Sequence, residues 1–226
     1  MNRRVRIMLQ WTIVWLPVFL IAWMLDGLAY DVFLDRSKAA EDWVQMLRQI
    51  GYLPTWILVG VLFLLVDRRR GGGRPGGLVA PVPAKPRHHR AGLVVLSAIV
   101  GGLVANVLKP IIGRLRPDSV EGVARFAERP AVLWADGGDL GLGLPSGHTT
   151  VAFAGCGMVA LLIPAWRWPM MILAAGCGLT RLFAGAHALS DVVAGAWVGL
   201  AVACWLWAWG EGPRRGPANG LLPRDL

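Results

Sequence analysis

The stretch AGLVVLSAIVGGLVANVL, Ala91–Leu108, runs for eighteen residues without a charge and is followed at once by Lys109-Pro110-Ile111-Ile112-Gly113-Arg114-Leu115-Arg116-Pro117. A helix that crosses a hydrocarbon core of about 30 Å needs about 20 apolar residues, with a range of roughly 17 to 25, so this stretch is long enough to span. Five further runs resemble it: Ile7 to Ala29, Leu53 to Val66, His148 to Ile163, Pro169 to about Phe183, and Ala188 to Trp209. The run from Leu53 is short and must recruit Ile50 and Tyr52 or sit tilted beneath Trp56. Over the whole chain of 226 residues, 55% are apolar and 16% charged, and the mean hydropathy is +0.52. Charged residues make up about a quarter of an ordinary soluble domain, so this composition excludes one, along with disorder, collagen and a disulfide scaffold. Twelve Trp and twenty-nine Gly suit helices anchored at headgroups and packed closely against one another. The sequence predicts an all-α integral membrane protein, with six transmembrane helices in one domain spanning residues 1–226. Cys156, Cys177 and Cys204 all fall in apolar runs and read as small buried hydrophobes without metal-ligand spacing.

Charge sets the orientation. Arg3, Arg4 and Arg6 precede the first run as a signal-peptide n-region would, with Gly27-Leu28-Ala29 as a passable cleavage site. The apolar stretch is longer than a usual signal core, which favours an uncleaved anchor. With the N-terminus inside, fourteen of the twenty-three Lys and Arg fall on the cytoplasmic side and nine outside. Both termini, the tail 211–226 and the Gly- and Pro-rich basic connector 67–90 are therefore expected in the cytoplasm. His88 and His89 in that connector read as solvated linker, and the net charge of +9 reads as topology and not as nucleic-acid binding.

The basic residues outside need a reason. Lys109, Arg114 and Arg116 crowd the outer end of the third run, where they repel one another unless an anion lies between them or they form a collar facing headgroups. Pro145-Ser146-Gly147-His148 opens the fourth run: Gly147 permits close backbone approach, Ser146 brings a hydroxyl or an N-cap, and the free N–H groups of a first helical turn bind anions. His148 can give or take a proton there. Thr180-Arg181 ends the fifth run, and His187 and Asp191 open the sixth four residues apart, on one helical face. A carboxylate so placed fixes the imidazole tautomer and leaves the other ring nitrogen as nucleophile or base. On six alternating spans all of these helix ends share one side, which makes a single site the better account.

Lys109 with six residues before Arg116-Pro117, then Pro145-Ser146-Gly147-His148, then Arg181 with five residues before His187 and three more before Asp191, together resemble the type 2 phosphatidic acid phosphatase superfamily. The resemblance covers roughly residues 91–210, with one departure, since the family usually has Ser where this chain has Thr180. It implies a PAP2-like helical bundle and a metal-independent phosphatase without cofactor. In that scheme His187 attacks phosphorus, Asp191 orients it, and His148 protonates the departing oxygen and later activates water. Lys109, Arg116 and Arg181 hold the phosphate oxygens, helped by Ser146, Gly147 and Thr180. Arg114 lies outside the motif and reads as a headgroup contact or a collar residue.

The implied substrate is a phosphorylated membrane lipid such as undecaprenyl diphosphate, phosphatidylglycerophosphate, phosphatidate or lipid A, met on the extracytoplasmic face of a bacterial-type cell membrane. The connector 118–144, with Arg125, Arg129 and Trp134, is expected to shape the entrance. An anionic-lipid transporter or scramblase is the alternative, since it also needs cations at an outer mouth but not a His–Asp pair beside a second histidine. A vanadate haloperoxidase shares the pattern in soluble form, which six spans disfavour. Oligomeric state is not encoded in these features.

Overall fold

The computed structural model describes residues 3–70, 88–117 and 141–211. The tail beyond 211, most of the connector 67–90 and the entrance residues Arg125, Arg129 and Trp134 lie outside the described residues. In chain order the helices are α1 (Arg3–Met24), α2 (Asp26–Phe33), α3 (Arg36–Ala39), α4 (Asp42–Gln49), α5 (Leu53–Arg70), α6 (His88–Ile112), α7 (Gly147–Leu162), α8 (Arg167–Phe183) and α9 (Leu189–Glu211), with a 3₁₀ turn at Pro164–Trp166. Among the described residues the only strand-like pairing is a single antiparallel bridge between Leu115 and Leu142.

Helix α7 is the centre, packed against α6, α8 and α9. Many of its residues are small, among them Ala152, Ala154, Gly155 and Gly157, so neighbours approach its backbone directly. A Cβ on Gly199 of α9 would come within 2.5 Å of the Thr150 carbonyl oxygen, and one on Gly195 within 2.8 Å of that of Ser146. On another face, a Cβ on Gly155 would collide with the Trp56 ring of α5. Small residues of this kind are how membrane helices gain packing without a hydrophobic drive between them. Ser97 of α6 adds an interhelical hydrogen bond, its hydroxyl donating to the Ala154 carbonyl at 2.8 Å. Pro164 cannot continue the ladder, and α7 ends at Leu162.

Of the six expected spans, two helices among the described residues, over His89–Ile112 and Leu189–Gly210, are long and apolar enough to cross as they stand. Two bent pairs raise the number to four: α1 with α2, bent by 63°, and α4 with α5, bent by 65°. Thus the first apolar run is broken at Leu25, and Ile50 and Tyr52 lie in a corner and do not extend the second run. Helices α7 and α8, of sixteen and seventeen residues, are shorter. Apolar side chains face outward along α1, α5, α6 and α8, among them Ile13, Leu20, Leu58, Leu62, Leu103 and Ile172. Cys156 and Cys177 are buried as expected, but Cys204 is exposed on α9. Apolar character alone does not turn a side chain inward when the solvent is lipid.

At one end of the bundle, the α7–α8 turn carries Arg167 between exposed Trp166 and Trp168, an interfacial composition. At the other end lie the start of α7, the end of α8 and the start of α9.

Candidate active site

Three local devices assemble this end. The bridge at Leu115 and Leu142, closed by the Arg116 N–H donating to the Gly141 carbonyl (2.5 Å) and the Gly143 N–H to that of Arg114 (2.7 Å), lays the segment after α6 beside the entry to α7. The Ser146 N–H donates to the Asp191 backbone carbonyl at 3.0 Å, which ties the α7 start to α9. Gly185, at φ +67°, makes the left-handed turn that leads from α8 into the loop carrying His187.

His187 and Asp191 are both buried, with His187 Nδ1 3.4 Å from Asp191 Oδ2. The same oxygen accepts the Ala188 N–H at 3.0 Å. Gly143 makes room for it, because a Cβ there would come within 2.7 Å of Asp191 Oδ2. Burial pushes the His187 pKa below the usual imidazole value, and the hydrogen bond and charge of Asp191 act against that. A neutral imidazole beside a carboxylate is suited to nucleophilic or base chemistry.

Ser146 precedes α7 and is fully buried; its hydroxyl accepts from Thr149 Oγ1 at 2.9 Å, which leaves its own proton available. Gly147 begins the helix, and a Cβ there would stand 3.7 Å from Lys109 Nζ, so the ammonium lies beside the helix N-terminus. Arg116 Nε donates to the Leu142 carbonyl at 3.2 Å. The His148 ring meets Tyr52 edge to face, with centroids 4.6 Å apart. Arg181, in the last turn of α8, lies within electrostatic reach of Arg116 and Arg48. Buried atoms His148 Nε2, Arg181 Nε and Arg48 Nε have no hydrogen-bond partner in the protein. Buried polar groups are nearly always paired, so orphans converging on one place mark where a ligand's acceptors fit.

Thr180 stands apart from the other motif residues. Its hydroxyl donates to the Cys177 carbonyl one turn back at 2.7 Å, so a phosphate contact requires the side chain to rotate.

Arg114 is not the headgroup contact that the sequence suggests. It is wholly buried, with Nη1 3.0 Å from Asp191 Oδ1, Nη2 2.7 Å from Asp26 Oδ2, and Nη1 also donating to Ser190 Oγ. Its guanidinium carbon lies 4.4 Å from the Trp23 ring centroid. Asp26 in turn accepts the Ser190 N–H at 2.8 Å and its hydroxyl at 2.6 Å. A buried guanidinium needs charged partners, and two carboxylates supply them. Sequence reasoning passed over Asp26 and Arg48. The available signals were a lone carboxylate in the first apolar run and one more arginine on the side that should be poor in them.

Among the described residues no group of three or more His, Cys, Asp or Glu side chains is placed to hold a metal ion. The arrangement is rich in cations and includes the buried His187–Asp191 pair.

Comparison with known proteins agrees. Residues 90–215 match the PAP2 superfamily. A lipid A 1-phosphatase of Rhizobium johnstonii is 30% identical over 194 residues, covering 83% of this chain and 75% of its own. The Schizosaccharomyces pombe protein named probable diacylglycerol pyrophosphate phosphatase 1 is 28% identical over 137 residues, 49% of each chain. In fold, the chain is similar to the crystal structure of a transmembrane PAP2-type phosphatidylglycerolphosphate phosphatase from Bacillus subtilis, with a TM-score of 0.60 at 17% identity, over 90% of this chain and 97% of the other. With a family match over more than half its length and a relative covered over most of its own, this multi-pass membrane chain belongs to the PAP2 superfamily.

Proposed function

We propose that the protein is a metal-independent lipid phosphatase, acting on a phosphate monoester or diphosphate of a membrane lipid through a phosphohistidine intermediate. The observation that carries this reading is the buried His187–Asp191 pair at the same bundle end as the α7 N-terminus and three cations. Asp191, engaged by Arg114 through Oδ1, presents Oδ2 to His187 Nδ1 and leaves Nε2 to attack phosphorus. The bond from phosphorus to the leaving oxygen breaks as His148 supplies that oxygen with a proton. His148 then takes a proton from the water that releases phosphate from His187.

Lys109, Arg116 and Arg181, with the Ser146 hydroxyl and the Gly147 N–H, neutralise the equatorial oxygens at transfer, a task that Mg²⁺ performs in other phosphotransferases. Thr180 joins them where its hydroxyl rotates away from Cys177.

A lipid substrate suits the surroundings. An apolar cavity of about 280 Å³, lined by Trp15, Phe19, Leu108, Leu144, Pro145, Val193 and Trp197 among others, borders the residues that lead into Ser146 and is of a size to take part of a hydrocarbon chain. The names of the relatives point to phosphorylated membrane lipids. We assign the site to the extracytoplasmic face and the termini to the cytoplasm, on the fourteen-to-nine distribution of basic residues. A transporter or scramblase would have no use for the His187–Asp191 pair.

The test is phosphate release by the purified protein from isoprenyl, glycerolipid and lipid A phosphates. Turnover that persists in EDTA and stops with orthovanadate, a mimic of the transition state, is expected. Turnover lost in EDTA and restored by Mg²⁺ contradicts the metal-independent scheme, and lipid movement without phosphate release favours the transporter.

A further inference from the structure

The family motifs supply three cations, enough for one phosphate, yet a fourth stands at the same end. Arg48 occupies the last turn of α4, just before the corner into α5. That corner is held rigidly. Trp56 Nε1 donates to the Ile50 carbonyl at 2.8 Å, and Gly51 is so close to α7 that a Cβ there would come within 2.7 Å of His148 Cβ. The Arg48 guanidinium carbon lies 5.7 Å from the Tyr52 ring centroid, and the Tyr52 ring lies against that of His148. No carboxylate among the described residues pairs with Arg48, and its Nε is buried without a hydrogen-bond partner.

Tyr52, whose ring meets both the Arg48 guanidinium and the His148 ring, places Arg48 on the His148 side of the site. In an in-line displacement the leaving oxygen departs opposite the attacking atom, so the His148 side is the leaving-group side.

We propose that Arg48, steadied by Tyr52, is a binding site for an anionic leaving group, which makes a lipid diphosphate the preferred substrate. This rests on the phosphatase reading above. The bond from His187 nitrogen to the terminal phosphorus forms, and the bond from that phosphorus to the bridging oxygen breaks. The bridging oxygen leaves with the electron pair as part of a lipid monophosphate, whose added charge Arg48 neutralises. Water then cleaves the phosphohistidine, so lipid diphosphate and water give lipid monophosphate and orthophosphate. A sugar or glycerol leaving group brings no such charge and gains nothing from Arg48.

The experiment compares an isoprenyl diphosphate with the monophosphate of the same chain, in detergent micelles, for the wild-type protein, Arg48→Gln and Arg48→Lys. The wild type should favour the diphosphate. Arg48→Gln should lose at least tenfold more in kcat/KM for the diphosphate than for the monophosphate, and an unchanged thermal unfolding midpoint shows that the variant is folded. Arg48→Lys, which keeps the charge but not the fork, should fall between. Equal losses on both substrates, or no loss on the diphosphate, overturn the proposal while leaving the phosphatase reading intact. A wild type that releases phosphate from neither, and from no glycerolipid or lipid A phosphate, overturns both.

Discussion

The two halves of the bundle bring charge to the site in different ways. Helices α6 to α9 hold their site residues in helix ends and short loops, at sequence spacings that repeat the geometry: His187 to Asp191 is one helical turn, and Ser146-Gly147-His148 is one helix start. Helices α1 to α5 contribute Asp26 and Arg48 from beside two sharp bends, at Leu25 and at Gly51–Tyr52. The first half has no motif, yet Asp26 reaches Arg114 across 88 positions of sequence and so braces the carboxylate that faces His187. The bend at Leu25 lets Asp26 begin a new helix and meet Arg114 and Ser190 inside the bundle. The C-terminal half thus holds the motif residues, and the N-terminal half braces them through Asp26 and adds Arg48 at the same end.

Substitutions can break this division in a graded way. His187→Ala should abolish turnover of every substrate, however good its leaving group, because no phosphohistidine can form; residual phosphate release from an aryl phosphate is the measurement. Arg114→Gln comes next, with an expected loss of roughly a hundredfold in kcat, equivalent to about 2.7 kcal/mol. Its KM should hold, since Arg114 acts through Asp191, and on an Asp191→Asn background the same change should cost little more. Additive losses in that cycle would make Arg114 merely structural. Arg181→Lys should lose roughly thirtyfold in kcat/KM, because an ammonium cannot grip two oxygens in a fork; wild-type turnover would remove Arg181 from the site.

Smaller effects test the N-terminal half. Asp26→Asn keeps one acceptor oxygen where the carboxylate has two, and removes one of the two negative charges on Arg114, so roughly a tenfold fall in kcat with a lower Tm is expected. Unchanged kcat would confine Asp26 to stability. Gly185→Ala, forced into the left-handed region beside Leu34, should cost about 1–2 kcal/mol in thermal unfolding and leave turnover within about twofold.

What the sequence made legible follows the same line. The candidate site residues of α6 to α9 could be named because a helix N-terminus, an i,i+4 pair and a cation cluster are local patterns. The partnership of Arg114 with Asp26 obeys no spacing rule, and a cation at the outer end of a span looks the same whether it faces headgroups or is buried on a carboxylate. The bends were hidden for a related reason. Hydropathy sees the apolar run from Ile7 as continuous and is blind to the bend at Leu25, where the chain turns by 63° to bury Asp26. Cys204 shows the limit most simply: Ala201, Cys204 and Trp205 face outward while Val202, Ala203 and Leu206 face the bundle, and both faces are apolar.

The central claim is that His187 carries the phosphoryl group and His148 discharges it. In His148→Ala, an activated aryl phosphate needs no proton on its leaving oxygen, so transfer to His187 should proceed while hydrolysis of the intermediate stalls. Mixing that variant with labelled aryl phosphate should build up acid-labile, base-stable label on the protein, and none should appear in the double variant that also lacks His187. Label retained without His187 would contradict the account.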